Sequence, residues 1–292
     1  MTISFEIEPR GPFSLAAASR FIAGWPPAEG PTDTSDGAVR LCFALDSFAG
    51  HAGVTVRNDG DAIRVEAAGD GGEDALRAQV GRILSLDHDA SDLGEVLERD
   101  SVAARLHREA DALRPVLFHS PYEAAAWSII SARIQHAQAL RIRTELSRRL
   151  GQVLDVDGVE MAAFPLPEAL AELDSFSGLP DEKVRRLRAV AEAALGGKLD
   201  PIRLREADPA DALAALEEIR GIGPFYAGLI LVRSTGAADV LPPGEPRLMS
   251  AIGDAYDLGG AATPDQLASI TEAWRPYRTW IAVLLRASAS LG

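Results

Sequence analysis

The stretch from Leu216 to Arg247 reads LEEIRGIGPFYAGLILVRSTGAADVLPPGEPR and decides how the second half of the chain folds. A helix rich in Ala and Leu runs into a turn at Arg220–Gly223, and a second helix opens with Pro224 at its favoured first position. Two glycines one residue apart let an anion approach the backbone closely, and the amino-terminal N–H groups of the second helix point at that anion. The pattern predicts a helical hairpin within residues 212–235 that holds phosphate. A tightly packed corner with no ligand is the alternative.

The helical pattern continues on both sides of this hairpin. Apolar residues recur with helical spacing, and the breaks between the segments carry Pro, Gly or Asp, as helix ends do. No convincing strand is found beyond residue 88, so residues 89–292 are predicted to form an irregular all-α bundle. The predicted helices cover residues 92–113, 121–150, 166–174, 181–195, 209–218, 224–234, 246–256, 264–272 and 275–288.

Residues 1–88 carry a different pattern, in which apolar residues alternate as in half-buried strands. An Asn58–Gly60 turn between two alternating runs favours a hairpin. A loop is predicted at Trp25–Gly37, and helical spacing begins near Asp74. The fold class is therefore α+β, a small antiparallel sheet domain followed by the all-α bundle. The predicted strands are centred on Ile3–Ile7, Val39–Leu45, Val54–Val56 and Ile63–Val65.

Composition limits the classes of function. The chain has 292 residues, of which 47% are hydrophobic and 25% charged, as in ordinary globular proteins. A single cysteine, Cys42, excludes an internal disulfide, a four-cysteine iron–sulfur cluster and a thiolate zinc site. No apolar run is long enough to span a membrane and no secretory signal precedes the first strand, so we expect a cytosolic protein.

The net charge of −14 is unevenly distributed. Residues 1–100 hold 8 basic against 18 acidic residues, whereas residues 101–150 hold 8 basic against 4 acidic residues. A uniformly acidic surface would argue against nucleic acid as a partner, because neutralised phosphates supply most of that affinity. The local excess of arginine leaves room for a basic face.

Several motifs together resemble the helix-hairpin-helix (HhH-GPD) DNA glycosylase superfamily, and within it the DNA-3-methyladenine glycosylase II (AlkA-like) family. They are the β-rich first domain, the Pro121–Gly151 helix pair, the hairpin, Asp239–Pro243 and Trp274–Arg278, in the family's order. The resemblance implies a monomeric, cytoplasmic, nucleoid-associated enzyme that flips an alkylated or deaminated base out of duplex DNA and excises it. The alternative is a catalytically impaired protein that binds damaged or structured DNA without excision. A hairpin that serves only a protein interface is a third, weaker reading.

The resemblance places the catalytic acid at Glu245, where the family has aspartate, with Asp239 as a weaker alternative. An exposed first-turn glutamate stabilised by the helix dipole is the bland reading of Glu245. The loop Pro242–Gly244 is expected to hold the acid in a fixed place. Enzymes of the superfamily with lyase activity carry a Schiff-base lysine where this chain has Phe225, so the resemblance implies a monofunctional glycosylase.

The remaining site residues are expected in three groups. Arg133 either fills the gap left by the flipped base, grips a phosphate or is a solvated helix-end residue. The histidines lack metal-ligand spacing, and the resemblance implies at most a sodium or potassium ion on the backbone carbonyls of Glu217, Ile219 and Ile222. The expected DNA contacts are Arg220, Gly221, Ile222, Gly223, Pro224, Arg133 and Arg247. The expected base pocket is Phe225, Tyr122, Trp127, Tyr277 and Trp280.

Overall fold

The computed structural model describes residues 2–23, 36–241 and 245–291. The chain begins with a four-stranded antiparallel sheet in the order β1-β4-β3-β2, and all four predicted strands are confirmed. The tight turn at Gly60, with a φ angle of +63°, joins β3 to β4 as predicted. Most of the predicted loop at Trp25–Gly37 lies outside the described residues. The strands are β1 (Thr2–Ile7), β2 (Val39–Ala44), β3 (His51–Asp59) and β4 (Ala62–Gly69).

Two helices, α1 (Leu15–Ala23) and α2 (Glu73–Ile83), contribute to the core of this sheet. Phe43, Val54 and Val65 have at most a trace of exposed surface, because alternate residues of each strand face the helices. Helix α2 was predicted from its apolar face, whereas α1 was not predicted.

The rest of the described chain is mainly helical, which confirms the α+β class. The predicted segment 92–113 divides into two helices, 121–150 divides at residues 132–135, and a short helix within 201–206 was missed. The helices are α3 (Leu93–Glu98), α4 (Ser101–Glu109), α5 (Pro121–Ser131), α6 (His136–Leu150), α7 (Pro167–Ala171), α8 (Asp181–Leu195), α9 (Pro201–Glu206), α10 (Pro209–Glu217), α11 (Pro224–Ser234), α12 (Pro246–Ala255), α13 (Pro264–Glu272) and α14 (Arg278–Leu291). None of the described helices is long and apolar enough to cross a membrane.

The expectation that no strand follows residue 88 is wrong. Strands β5 (Val153–Val156) and β6 (Val159–Ala162) form a hairpin that packs on the first sheet. A Cβ atom at Gly53 of β3 would lie 2.5 Å from a Val156 methyl group, so the two layers touch closely. The two residues between the strands are Asp-Gly, a common hairpin turn that the sequence does display. The strands are only four residues long, which hides their alternation.

The helices form two separate hydrophobic cores. Helices α5, α6, α8, α10 and α11 share the central core, and α3, α4, α12 and α14 share the second. Trp274, which is fully buried, anchors the second core by donating a hydrogen bond from its indole nitrogen to the Asp100 carboxylate at 3.0 Å. Since α11 belongs to one core and α12 and α14 to the other, the surfaces of both cores are available to form a groove.

A buried arginine ties the sheet to the hairpin helix. The Arg82 guanidinium donates to the carbonyl oxygens of Ser234 at 2.5 Å and His119 at 2.7 Å, and it pairs with Asp46 at 2.8 Å. Burial raises the pKa of Asp46. These contacts fix the carboxyl end of α11 relative to the sheet.

A second buried ion pair joins α5 to α6. Arg143 donates to the Glu123 carboxylate at 2.9 Å, both side chains are almost fully enclosed, and the His119 imidazole lies 3.4 Å from the same oxygen. Burial raises the pKa of Glu123, but the His119 and Arg143 charges outweigh burial and hold the pKa below its usual 4.5. The contribution of this carboxylate to stability is therefore present at neutral pH and is lost as the pH falls through the lowered pKa.

Replacing Arg143 with Met leaves the Glu123 carboxylate buried without its guanidinium partner. We expect the free energy of unfolding to fall by about 3–5 kcal/mol in urea denaturation at neutral pH. The control is Arg148→Met on the same helix, whose partner Glu160 is 67% exposed and whose loss should cost less than about 1 kcal/mol. Equal losses in the two variants would contradict a structural role for the buried pair.

Candidate functional site

The predicted hairpin is present as α10, a turn and α11. The Ile222 amide donates to the Ile219 carbonyl at 2.9 Å and closes the turn. Leu216, Ile219 and Ile222 are buried in the central core and anchor the turn from beneath, while Arg220 and Pro224 remain exposed. The apolar residues therefore set the shape of the turn and leave its polar backbone at the surface.

The two glycines of the turn are there for different reasons. Gly221 has a φ angle of +94°, and a Cβ atom there would lie 2.6 Å from Arg186 Cδ and 3.0 Å from Ile129 Cδ1. The fold itself requires that glycine. Gly223 has a φ angle of −102°, which any residue adopts, and a Cβ atom there would meet nothing within 4 Å. The packing of the described chain leaves this space open, directly at the amino end of α11.

The other predicted DNA contacts lie around this turn or beyond it. Arg220 pairs with Glu182 of α8 at 3.3 Å, and Arg247 is exposed on the first turn of α12. Arg133 is exposed in the turn between α5 and α6 and has a φ angle of +58°. The Lys183 ammonium donates to the carbonyls of Ile130 and Ala132, at 2.7 and 2.8 Å, so the Arg133 turn is fastened to α8.

A groove of about 410 Å³ opens between α11 and the pair α12 and α14. This volume is within the range of sites that hold a small molecule. Its walls are mostly apolar, and α11 supplies both the amino end of the hairpin helix and one wall. The lining residues are Leu213, Glu217, Pro224, Phe225, Leu229, Val232, Arg233, Val240, Leu241, Glu245, Pro246, Leu248, Thr279, Ala282, Val283 and Arg286.

Glu245 reaches this groove and is held there by α14. Its backbone caps α12, but its side chain makes no capping hydrogen bond. Its carboxylate instead accepts a hydrogen bond from Arg286 Nη1 at 2.6 Å, and only 14% of the side chain is exposed. The residue is thus a positioned, largely enclosed acid, in contrast to the solvated first-turn glutamate of the bland reading. The loop Pro242–Gly244, expected to fix it, lies outside the described residues.

Asp239 is held by the arginines of the Trp274–Arg278 motif and does not line the groove. Arg275 Nη1 lies 2.8 Å and Arg278 Nε 2.7 Å from its carboxylate. The next residue, Val240, donates its amide to the Thr279 hydroxyl at 2.9 Å. These contacts fasten the start of the segment 239–245 to the amino end of α14, which gives Asp239 a structural role.

The groove carries two arginines in addition to its acids. Arg233 donates to the Val116 carbonyl at 2.9 Å and lies over the Phe21 ring at 5.4 Å. Burial, with the charge of Arg286, lowers the pKa of Arg233 to about 10, so it remains protonated at neutral pH. With Glu217 and Glu245 ionised, the formal charges that line the groove balance.

Only one of the predicted base-pocket aromatics lines this groove. The Phe225 side chain is 55% exposed at the groove wall and contacts the Tyr226 ring edge-on. The other four are buried in the hydrophobic cores, and two of their hydroxyl groups bond to backbone carbonyls, as expected of packed side chains. The prediction that they stack on a base is corrected by this burial, which sequence alone did not show. These four are Tyr122, Trp127, Tyr277 and Trp280.

The described residues contain no cluster of three or more His, Cys, Asp or Glu side chains that could hold a metal ion. The expected monovalent cation would rest on backbone carbonyls. The Ile219 carbonyl already accepts one hydrogen bond within the turn and keeps its second lone pair. The turn therefore leaves acceptor capacity for such an ion.

Sequence reasoning missed the residues that hold the acid segment in place. Arg275 and Arg278 were quoted only as part of a motif, and Thr279 and Arg286 were not singled out. Their signal is a helix that follows the motif and places basic side chains at Arg278 and Arg286, two turns apart on α14. The acidic partners are about 40 residues away along the chain.

Comparisons with known proteins agree with this architecture. No family model matches the chain. It is 23% identical over 202 residues to a DNA-3-methyladenine glycosylase of Bacillus subtilis (strain 168), which covers 68% of this chain and 66% of that protein, just under two thirds. The solved 3-methyladenine DNA glycosylase from Archaeoglobus fulgidus superposes with a TM-score of 0.77 at 20% identity, covering 98% of both chains. MBOgg1 in complex with a low-affinity DNA ligand superposes with a TM-score of 0.71 at 18% identity, covering 98% of this chain and 96% of that one.

The hairpin, the small sheet and the acidic groove together define a helix-hairpin-helix protein with the glycosylase fold. The sequence relatives and the shared fold support its place in the DNA-3-methyladenine glycosylase II (AlkA-like) family of that superfamily.

Replacing Asp239 with Asn removes the charge that Arg275 and Arg278 share. We expect the free energy of unfolding to fall by about 1–3 kcal/mol, because two charge-assisted hydrogen bonds lose their anion in a partly buried place. Thermal or urea unfolding measures the loss. Glu272→Gln is the control, since Glu272 pairs with Arg275 only and is 69% exposed. If Asp239→Asn is as stable as Glu272→Gln, Asp239 does not fasten the segment.

Proposed function

We propose that this chain is a monofunctional DNA glycosylase of base-excision repair. It flips a damaged base out of duplex DNA and releases it by hydrolysis, the base being alkylated (3-methyladenine-type) or deaminated. One observation carries the proposal: α11, whose amino end forms the phosphate-binding hairpin, also forms a wall of the groove into which Glu245 is held. DNA bound at the hairpin therefore lies next to the acid.

The hairpin accounts for the grip on DNA. The open space at Gly223 lets a phosphate reach the free N–H groups at the start of α11, where the helix dipole favours negative charge. Pro224 has no N–H group to be left unsatisfied at that position. Contacts of this kind fix position and orientation on the duplex and carry no sequence information.

Glu245 accounts for the chemistry. As the bond from C1′ to the base breaks, the base leaves with the bonding electron pair and positive charge develops on the sugar. A carboxylate fixed within a few ångström stabilises that charge, and electrostatic stabilisation of this kind is commonly the largest catalytic contribution. Water then adds at C1′ and gives up a proton, which the carboxylate accepts. Arg286 fixes the longer glutamate side chain in one orientation.

The positions of the lysines support the monofunctional assignment. Phe225 occupies the place where lyases of the superfamily carry their Schiff-base lysine. The chain has two lysines, and neither lines the groove. Lys183 donates to two backbone carbonyls, and Lys198 pairs with Glu218 at 2.7 Å. No amine is left near C1′ to form a covalent intermediate.

A second candidate function is binding of damaged or structured DNA without excision. The ion pair between Arg286 and Glu245 favours it, because a guanidinium 2.6 Å away offsets part of the negative charge that catalysis uses. The names of the similar proteins favour excision: the Bacillus subtilis relative and the Archaeoglobus fulgidus structure are both called 3-methyladenine glycosylases. A monomeric state, a cytoplasmic location, and a sodium or potassium ion on the hairpin carbonyls belong to the same proposal.

Glu245→Gln keeps the size of the side chain and removes its charge. We expect base release from a single-lesion duplex to fall by at least about 100-fold in single-turnover assays, while the affinity for that duplex changes little. Glu245→Asp retains the charge and should retain activity. Glu217→Gln, which also changes a carboxylate of the groove, is the control and should excise at close to the wild-type rate.

Wild-type rates in Glu245→Gln would show that Glu245 is not the catalytic acid. If the wild type releases nothing from a broad panel of lesions yet binds them, binding without excision becomes the function.

A further inference from the structure

Three arginines meet around one carboxylate beside the hairpin turn. Glu182, on the first turn of α8, accepts hydrogen bonds from Arg185 at 2.8 Å and Arg186 at 2.9 Å, and it pairs with Arg220 of the hairpin at 3.3 Å. We call Arg185, Arg186 and Arg220 the α8 arginine strip. The three side chains are 38–59% exposed, so their guanidinium groups lie at the surface.

The strip is continuous with the hairpin. The aliphatic stem of Arg186 lies against Gly221, where even a single Cβ atom would come within 2.6 Å of it. On the other side of α8, Lys183 is bonded to the carbonyls of Ile130 and Ala132, which fastens the turn that exposes Arg133. Helix α8 therefore bridges the two segments for which sequence analysis predicted DNA contacts.

The local charge is opposite to that of the protein. Residues 181–186, with Arg133 and Arg220, hold five basic and two acidic side chains, in a chain whose net charge is −14. Hydrogen bonds from Arg185 and Arg186 hold the pKa of Glu182 at about 2, so this carboxylate stays ionised and keeps the guanidinium groups gathered around it. A concentrated basic patch on an acidic protein favours a polyanionic partner at this place.

The guanidinium groups retain unused donors. Arg186 reaches Glu182 only through Nε, and within the described chain its two Nη groups make no hydrogen bond. Guanidinium groups match the geometry of phosphate oxygens and bind them through paired hydrogen bonds. Since a phosphate can approach from solvent, Glu182 does not need to be displaced.

We propose that the α8 arginine strip binds backbone phosphates of duplex DNA next to the phosphate held at Gly223. The inference rests on the proposed DNA binding and extends it to a helix outside the hairpin. The contacts would be independent of base sequence, and they explain how a strongly acidic protein holds a polyanion.

The experiment measures the affinity of the full chain for an undamaged duplex between 50 and 200 mM salt. The variant is Arg185→Gln with Arg186→Met, in which methionine preserves the apolar stem against Gly221. Each lost phosphate contact lowers the salt slope by about 0.9, so the fall in affinity over this range should be about 12-fold smaller than in the wild type. Arg188→Gln is the matched control: it lies on the same helix, pairs with Asp174 at 3.9 Å and should keep the wild-type slope.

Gly223→Val separates this inference from the proposed function. Its extra methyl groups occupy the open space at α11 and should weaken binding to every duplex. If Gly223→Val weakens binding and the double variant keeps the wild-type slope, the strip does not bind DNA and the inference is wrong. If the wild type shows no salt-dependent binding to duplex at all, the proposed function itself fails. Melting temperatures within a few degrees of the wild type confirm that the variants are folded.

Discussion

Helix α14 holds both ends of the segment that carries the acid, and the geometry of the groove depends on this grip. At one end, Arg278 and Thr279 fasten Asp239 and Val240, and at the other Arg286 holds the Glu245 carboxylate. Helix α14 is itself fixed in the second helical core, while the hairpin belongs to the central core. The distance between a bound phosphate and the acid is therefore set by how the two cores pack.

The charges of the protein are arranged to suit this geometry. Acidic residues dominate the amino-terminal third, whereas the surface beside the hairpin turn concentrates arginines. Such an arrangement limits non-specific attraction and keeps DNA at one place. Inside the groove, Arg233 and Arg286 balance Glu217 and Glu245. A balanced groove with one exposed aromatic ring, Phe225, selects a base through shape and stacking more than through net charge.

Local features of this fold could be predicted from the sequence, and distant pairings could not. The hairpin and the first sheet were predicted because their turns, helix starts and alternation are written within a few neighbouring residues. The ion pairs of Arg278 and Arg286 join residues about 40 positions apart, and nothing local marks them. Aromatic residues such as Tyr122 were assigned to a pocket because composition does not show burial. The β5–β6 hairpin was missed although its Asp-Gly turn was visible.

The most direct test of excision follows the strands of duplexes that each carry one alkylated or deaminated base. After incubation with the wild-type protein, one half of each sample is heated in alkali and the other is treated with borohydride. Hydrolytic release leaves an abasic site, so the account predicts strand breaks after alkali and no protein–DNA adduct after borohydride. A trapped adduct that disappears when Lys183 or Lys198 is replaced, or the absence of base release from every duplex, would contradict it.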